Sequence, residues 1–230
     1  MPAWLTDFDT DLLLTFNSKG IAFLDTLFIT CTTTLTWLPF FLGAVIMLCR
    51  SRLSALQVLL VIGGALLGLL IADGVAEGIV KPWAQRLRPC NEPALNGIVH
   101  IVNNYRSTDY SFFSGHATNT SMLAMLLITL VRNRRFAFAA ALWSLLNCYT
   151  RLYLAQHYPT DIIVGLLWGS TVGAIIGTRL HRYLRIHTKT SSAHHPASPY
   201  PLIPSTATLW PLAGLALSSI YAIIIAAIHT

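Results

Sequence analysis

Three short polar segments of this chain contain the residue types that phosphoryl transfer requires. Each segment combines a permanent cation or a histidine with small or polar residues, and each borders a long apolar stretch. The candidate residues are Lys81 and Arg88 in the first segment, Ser114, Gly115 and His116 in the second, and Arg151, His157 and Asp161 in the third. This pattern indicates a site that binds a phosphate group and offers two imidazoles to it.

The cations and the helix start predict how a phosphate would be bound. Lys81, Arg88 and Arg151 supply three positive charges, and an arginine can bind two phosphate oxygens with its planar guanidinium group. Ser114 and Gly115 precede an apolar stretch, so we expect their backbone N–H groups to be free at the start of a helix, where anions bind.

The histidines predict the chemistry. His157 and Asp161 are four residues apart at the predicted start of a helix, which Pro159 would open. We expect Asp161 to accept a hydrogen bond from one ring nitrogen of His157, which would fix the tautomer and leave the other nitrogen free to attack phosphorus. His116 would then be the acid that protonates the leaving group.

The same residues predict catalysis without a metal ion or any other cofactor. Phosphoryl transfer needs mainly alignment and neutralisation of the charge on the equatorial oxygens, which cations and helix-terminal N–H groups can provide. Apart from the N-terminal region and Asp25, the segments on this side carry only the carboxylates Glu92, Asp109 and Asp161. That argues against a two-metal site, and the cysteines have no metal-type spacing.

Composition places these segments in a membrane protein. The chain is 54% hydrophobic and 10% charged, whereas soluble domains are about 25% charged. Apolar stretches predict an all-α integral membrane bundle of about six transmembrane helices, at residues 21–48, 56–80, 115–131, 136–148, 161–177 and 209–228. We expect Pro39 to kink the first of them. The net charge of +6 lies in short loops, which indicates topology and an anionic ligand rather than a nucleic acid.

The predicted organisation has four parts. Residues 1–20 form a short amphipathic helix at the membrane interface, and residues 21–180 form the phosphatase core. Residues 181–208 form a cytoplasmic linker, and residues 209–230 form a C-terminal transmembrane helix. The sequence does not predict an oligomeric state.

Basic residues between the apolar stretches predict the orientation in the membrane. Arginines near positions 50, 132–135 and 179–185 fall on one side of the bundle, which the positive-inside rule makes cytoplasmic. The candidate segments fall on the other side, at the periplasmic or outer face of a bacterial inner membrane. Arg86 and Arg106 also lie there, and we interpret them as interfacial anchors. Asp73 and Glu77 lie inside the second apolar stretch, where we expect them to hold Lys81 or Arg88, or to bond across the bundle.

The three segments together resemble the signature motifs of the type 2 phosphatidic acid phosphatase superfamily. The first family motif is lysine, six residues and Arg-Pro, which matches Lys81 and Arg88-Pro89. The second is Pro-Ser-Gly-His, with Phe113 here in place of proline. The third is Ser-Arg, five residues, histidine, three residues and aspartate, with Thr150 in place of serine. Neither departure changes a residue that carries a charge or a proton in the proposed chemistry.

The resemblance covers about residues 70–180, and it implies a helical bundle and a phosphohistidine intermediate on His157. It also implies that the substrate is a lipid phosphate or diphosphate and that the protein is in contact with membrane lipids. The substrates that the family suggests are undecaprenyl diphosphate first, lipid A phosphate second, and phosphatidylglycerol phosphate or phosphatidic acid. Two alternatives remain open from the sequence, a phosphatase for a soluble ester and a non-catalytic lipid-binding or transport protein of the same fold.

Overall fold

The fold is given by a computed structural model that describes residues 3–17, 20–188 and 201–229. These residues form helices and loops and contain no β-strand, which confirms the predicted all-α class. The α-helices are α1 (Ala3–Phe16), α2 (Ala22–Thr32), α3 (Leu38–Cys49), α4 (Ala55–Val75), α5 (Lys81–Ala84), α6 (Gly115–Val131), α7 (Arg134–Tyr153), α8 (Pro159–His187) and α9 (Leu209–Ile228). A π-helical turn, Ala76–Val80, joins α4 to α5.

Several of these helices could cross a membrane. Three stretches are long and apolar enough to do so: Ala55–Leu95, which begins with α4, Pro159–His187, which is α8, and Ser205–Ile228, which contains α9. The pair Ala22–Thr32 and Thr34–Cys49, which contains α2 and α3, passes the same test as one bent unit. Helix α6 is shorter, and α7 is not among the candidates within the described residues. The membrane-spanning helical bundle is confirmed, whereas the count of about six spans stays a prediction.

The first apolar stretch bends at a different place from the one expected. The chain turns by 74° between α2 and α3, at Thr33, and not at Pro39. Pro39 lies in the first turn of α3, where its missing N–H group breaks no intrahelical bond. At the break, the indole N–H of Trp37 donates to the Cys31 carbonyl at 2.9 Å. The bend leaves Thr32 at the end of α2, pointing toward the predicted site residues.

Close packing of α8 on α6 fixes the two helix starts that carry the second and third motifs. Helix α8 has a glycine at every fourth position on the side facing α6, namely Gly165, Gly169, Gly173 and Gly177. A Cβ atom at Gly169 would overlap the Thr118 carbonyl. Small residues allow helices in membranes to approach this closely. Beside this contact, the Ser114 N–H donates to the Asp161 carbonyl at 3.1 Å.

The predicted N-terminal helix and the linker are described only in part. Helix α1 lies within the predicted segment 1–20, and its placement at the membrane interface stays a prediction. The linker that we expected from residue 181 begins later, because α8 continues without a break to His187. Residues 189–200 of that linker lie outside the described residues.

The chain direction separates the motif residues from the predicted cytoplasmic arginines. The ends of α4 and α7 meet the starts of α6 and α8, so the three motifs reach the same end of the bundle. At the other end, Arg132, Arg134 and Arg182 line one cavity. The predicted segregation of the two groups of basic residues is therefore present in the fold.

The packing of α8 on α6 leads to a test of stability. We expect Gly169→Ala to destabilise the folded protein by about 1–3 kcal/mol, because the added methyl group overpacks a rigid backbone contact. Gly63→Ala is the matched control, because a Cβ atom there meets nothing within 4 Å and alanine favours the helix. The measurement is thermal unfolding of both purified variants in detergent. Equal melting temperatures would contradict the packing.

Candidate active site

Side-chain contacts link the three motifs at one end of the bundle. Arg88 Nη1 lies 2.9 Å from His157 Nε2, which joins the first motif to the third. His116 and Arg151 both contact Thr32, which joins the second motif to the third. Asp109 links Lys81 to Arg88, and the Ser114 N–H, which precedes Gly115, donates to the Asp161 carbonyl. The structure therefore gathers all of the predicted site residues into one group.

The backbone between α7 and α8 holds His157 inside the site. The N–H groups of Gln156 and His157 both point at the Arg151 carbonyl, at 2.9 and 3.3 Å. His157 Nδ1 lies 2.9 Å from the carbonyl oxygen of Ser111, and the side chain is almost fully buried. A carbonyl oxygen can only accept, so the proton is on Nδ1 and the lone pair is on Nε2. This tautomer leaves Nε2 able to act as a nucleophile.

The predicted hydrogen bond between Asp161 and His157 is not formed. Asp161 Oδ2 lies 3.7 Å from His157 Nδ1, which is too long for a hydrogen bond. Oδ2 instead accepts the Tyr158 N–H at 2.9 Å, at the first turn of α8, and also the hydroxyl of Ser111. Asp161 is therefore connected to the histidine through Ser111, whose carbonyl takes the bond that we had assigned to the carboxylate.

Arg88 contacts both the histidine and the anion-binding groups. Its Nη1 donates to the Gln156 carbonyl and faces His157 Nε2, both at 2.9 Å. Its Nε and Nη2 donate to the backbone carbonyl and the carboxylate of Asp109, at 3.0 and 2.7 Å. One guanidinium group thus places an anion position next to the free nitrogen of the imidazole.

Asp109 occupies that anion position. Its Oδ2 accepts from Lys81 Nζ and from Arg88 Nη2, each at 2.7 Å. Burial opposes ionisation of this carboxyl, but the hydrogen bonds from the two cations outweigh it and lower the pKa of Asp109 well below its ordinary value. The side chain is nevertheless 47% exposed. The sequence analysis used Asp109 only as an argument about metal sites and missed this position.

Arg151 and His116 approach the site from α7 and α6 and share Thr32. Arg151 Nη1 donates to the Thr32 hydroxyl at 2.7 Å and lies 3.4 Å from the Tyr105 hydroxyl. Its Nε is buried and has no hydrogen-bond partner among the described residues. His116 Nε2 lies 3.3 Å from the Thr32 carbonyl, so it carries a proton and donates weakly. Arg151 therefore has an unused donor, and His116 has a donor that is only weakly engaged.

The start of α6 is only partly available for an anion. The Ser114 hydroxyl caps the helix by accepting the Ala117 N–H at 3.3 Å. The Ser114 N–H, which we expected to be free, donates to Asp161 and cannot also point at a phosphate. The Gly115 N–H lies ahead of any intrahelical acceptor. A Cβ atom at Gly115 would lie 2.8 Å from Glu77 Oε1, so a side chain there would displace this carboxylate.

The acidic residues of α4 and the π-helical turn accept hydrogen bonds from Lys81 and from α6. Glu77 Oε1 accepts from Lys81 Nζ at 2.6 Å, one of the two roles expected for it. Asp73 Oδ1 accepts from Asn119 Nδ2 at 2.8 Å, which is a bond across the bundle. Lys81 is thereby held between Glu77 and Asp109, with its ammonium group buried.

The two arginines interpreted as interfacial anchors have different surroundings. Arg106 is exposed, and it donates to the Cys90 carbonyl within its own loop. Arg86 is not an anchor, because its side chain is only 12% exposed and lies 2.7 Å from Asp161 Oδ1. Sequence spacing could not separate the two arginines, since neither occupies a motif position.

The electrostatic environment sets the charge of the imidazole. Burial lowers the pKa of His157 well below its ordinary value, and the charges of Arg88 and Arg151 act in the same direction. The ring is therefore neutral at physiological pH. A neutral imidazole with a proton on Nδ1 has the form that nucleophilic attack through Nε2 requires.

The sequence of this chain is similar to those of known proteins. The family model of the PAP2 superfamily matches residues 62–185. A lipid A 4'-phosphatase of Bacteroides thetaiotaomicron is 35% identical over 75% of this chain and 77% of its own length. A second lipid A 4'-phosphatase, from Porphyromonas gingivalis, is 30% identical over 85% of this chain and 81% of its own length.

Similarity to other lipid phosphatases is less extensive. An undecaprenyl-diphosphatase of Bacillus subtilis is 31% identical over 37% of this chain and 42% of its own length. No solved structure matches the chain. Because the family match covers more than half of the chain and includes all three motifs, the chain belongs to the PAP2 superfamily, as the resemblance predicted.

Proposed function

We propose that this membrane lipid phosphatase hydrolyses a phosphomonoester of a lipid through a phosphohistidine on His157, with the 4'-phosphate of lipid A as the first candidate substrate. One observation carries the mechanism. The unprotonated nitrogen of a neutral imidazole accepts a hydrogen bond at 2.9 Å from an arginine, and this arginine, with Lys81, holds a carboxylate in an anion position. A phosphate in that position would have its phosphorus next to His157 Nε2.

The first step transfers the phosphoryl group to the histidine. The phosphate takes the place of the Asp109 carboxylate, and Lys81, Arg88 and Arg151 neutralise its oxygens. Arg88 Nη1 turns from the Nε2 lone pair to a phosphate oxygen, and the lone pair attacks phosphorus as the bond to the lipid oxygen breaks. Positive charge then develops on the ring. The hydrogen bond from Nδ1–H to the Ser111 carbonyl becomes stronger and stabilises this charge.

The leaving group needs a proton, which His116 supplies. His116 enters this step as an imidazolium ion, which the negative charge of the bound phosphate stabilises, and it leaves the step as a neutral imidazole. Its Nε2–H makes only a long bond to the Thr32 carbonyl, so it can turn to the departing lipid oxygen at small cost. In the second step a water molecule attacks the phosphohistidine, the phosphorus–nitrogen bond breaks, and His116 accepts a proton from that water. Inorganic phosphate and the free enzyme result.

The relatives favour one substrate over the others. The two lipid A 4'-phosphatases align with three quarters or more of this chain, whereas the undecaprenyl-diphosphatase aligns with 37% of it. We therefore reverse the order that the sequence alone suggested, and place lipid A phosphate ahead of undecaprenyl diphosphate. Phosphatidylglycerol phosphate and phosphatidic acid follow. No observation specifically favours a soluble ester or a non-catalytic role.

The location of the site in the membrane follows from the same charges. The arginines at the far end of the bundle favour the cytoplasmic side of a bacterial inner membrane. The site at the opposite end would then face the periplasm. A lipid there could keep its acyl chains in the bilayer while only the phosphate enters, and no metal ion takes part in the steps above.

Removal of the nucleophile tests the mechanism. We expect His157→Ala to lower phosphate release from lipid A by a factor on the order of 10³ or more, because no other group can form the covalent intermediate. The measurement is a phosphate-release panel over the four lipid classes with purified enzyme in detergent and EDTA. The control is Asp11→Asn, an exposed residue of α1. Unchanged turnover of the alanine variant would exclude His157 as nucleophile.

The tautomer of His157 can be observed without a substrate. We expect the ¹⁵N resonances of this ring to show a neutral Nδ1–H form well below pH 6.5, the ordinary histidine pKa, because burial and the nearby cations disfavour the charged ring. The pKa is lowered, so protonation should begin only at more acidic pH. His157→Gln identifies the signals by their loss. A midpoint at or above pH 6.5, or an Nε2–H tautomer, would contradict the assignment.

Asp109 offers a test of the anion position. We expect Asp109→Ala to lower the inhibition constant of inorganic phosphate roughly 10- to 100-fold, because phosphate no longer competes with charge-assisted hydrogen bonds of about 1.5–3 kcal/mol. Glu92→Gln is the control, a carboxylate change elsewhere in the same polar region. Weaker phosphate inhibition in Asp109→Ala would instead mean that this carboxylate positions the cations for binding.

A further inference from the structure

One acidic residue of α1 is buried against the catalytic end of the bundle. Asp7, Asp9 and Asp11 all lie on this helix, but only Asp9 is buried, with no exposed surface. Its Oδ1 accepts the Thr160 N–H at 2.9 Å, at the start of α8, and its Oδ2 accepts the Thr160 hydroxyl. The N-terminal helix is therefore docked by a carboxylate onto the helix that carries Asp161.

Arg86 connects Asp9 to Asp161. Its Nη2 donates to Asp9 Oδ2 at 2.6 Å, and its Nη1 donates to Asp161 Oδ1 at 2.7 Å. Nη1 also lies 3.0 Å from the Thr160 hydroxyl, and the guanidinium carbon lies 3.8 Å from the centre of the Tyr158 ring. Two carboxylates and an aromatic face thus fix this guanidinium group in position.

The backbone of Arg86 also binds Ser111, the residue whose carbonyl accepts from His157 Nδ1. The Ser111 N–H donates to the Arg86 carbonyl at 2.8 Å. Ser111 in turn accepts from His157 Nδ1 and donates its hydroxyl to Asp161. Arg86 therefore contacts both Ser111 and Asp161, and these two residues surround the Nδ1 side of the imidazole.

We propose that Arg86 and Asp9 are positioning residues for His157, so that the N-terminal helix contributes to the placement of the nucleophile through its one buried carboxylate. Neither residue belongs to a motif, and neither touches the anion position defined by Lys81 and Arg88. Arg86 holds Asp161 with its side chain and Ser111 with its carbonyl, and Asp9 holds Arg86. This inference rests on the proposed role of His157 as nucleophile.

The charge balance explains why a neutral residue cannot replace Arg86. Asp9 and Asp161 both have no exposed surface, and two buried carboxylates repel each other unless a cation lies between them. Without Arg86 the Asp161 carboxylate loses its Oδ1 partner and is free to shift toward His157. A displacement of about 1 Å at a reacting group can cost on the order of 100-fold in rate.

The variants Arg86→Gln, Arg86→Lys, Asp9→Asn and Asp11→Asn test the proposal. We expect Arg86→Gln to lower kcat roughly 10- to 100-fold, with KM and the inhibition constant of phosphate nearly unchanged. Arg86→Lys keeps the charge and should recover part of the loss. Asp9→Asn should lower kcat less, because Arg86 keeps its bond to Asp161, and Asp11→Asn should change nothing. All rates are normalised to folded enzyme.

A readout without substrate separates positioning from simple stability. The ¹⁵N ring signals of His157 should shift in Arg86→Gln and in Asp9→Asn, but not in Asp11→Asn. A loss of thermal stability with unchanged kcat and unchanged ring signals would overturn the proposal. So would a rise in KM and in the phosphate inhibition constant as large as the fall in kcat, because Arg86 would then bind phosphate directly.

The activities of the His157 and Arg86 variants separate the proposed function from the positioning role. If His157→Ala retains activity, the proposed function fails, whatever Arg86 does. If His157→Ala is inactive while the Arg86 and Asp9 variants keep the wild-type kcat, only the positioning proposal fails. Should Arg86→Gln not fold, Arg86→Lys and Asp9→Asn carry the same test, because both keep the buried charges closer to balance.

Discussion

The hydrogen bond from His157 Nδ1 to the Ser111 carbonyl is the interaction on which the chemistry depends. It decides which ring nitrogen carries the proton, and therefore which one faces Arg88. A carboxylate in the same place would also fix the tautomer, but it would add a negative charge beside Nδ1 and thereby favour protonation of the ring. With a carbonyl there, the ring stays neutral, and Asp161 remains one residue removed, bonded to the Ser111 hydroxyl.

Opposite charges alternate through the site. On one side Glu77, Lys81 and Asp109 are in contact, and on the other side Asp9, Arg86 and Asp161. Lys81, Arg86 and Arg88 thus each have a carboxylate partner, which is the condition for placing charges in a poorly solvated region. Arg151 differs, because its guanidinium contacts only neutral groups among the described residues. A bound anion would therefore compensate the charge of Arg151, which no carboxylate of the described residues neutralises.

The sequence predicted the helices and the motif residues well, because both depend on local patterns. Apolar stretches identified the bundle, and fixed spacings identified residues such as Lys81 and His157. Ser111 and Thr32 could not be found this way, since their importance comes from backbone positions set by distant packing. The sequence contained only a weak indication for Asp9, because its spacing of four residues from Leu13 places both on one face of a helix. In the structure both side chains are fully buried.

Burial separates the permanent carboxylates of the site from the exchangeable one. Asp9 and Asp161 have no exposed surface, and each accepts several hydrogen bonds, including bonds from groups on other segments. Displacing either would leave a buried backbone N–H without its acceptor, that of Thr160 or that of Tyr158, at a cost of about 1–3 kcal/mol. Asp109 also bridges two cations, but it is 47% exposed, so water can solvate it once it leaves. A phosphate group, with more charge and more acceptor oxygens, can therefore replace Asp109 while the inner carboxylates keep the nucleophile in place.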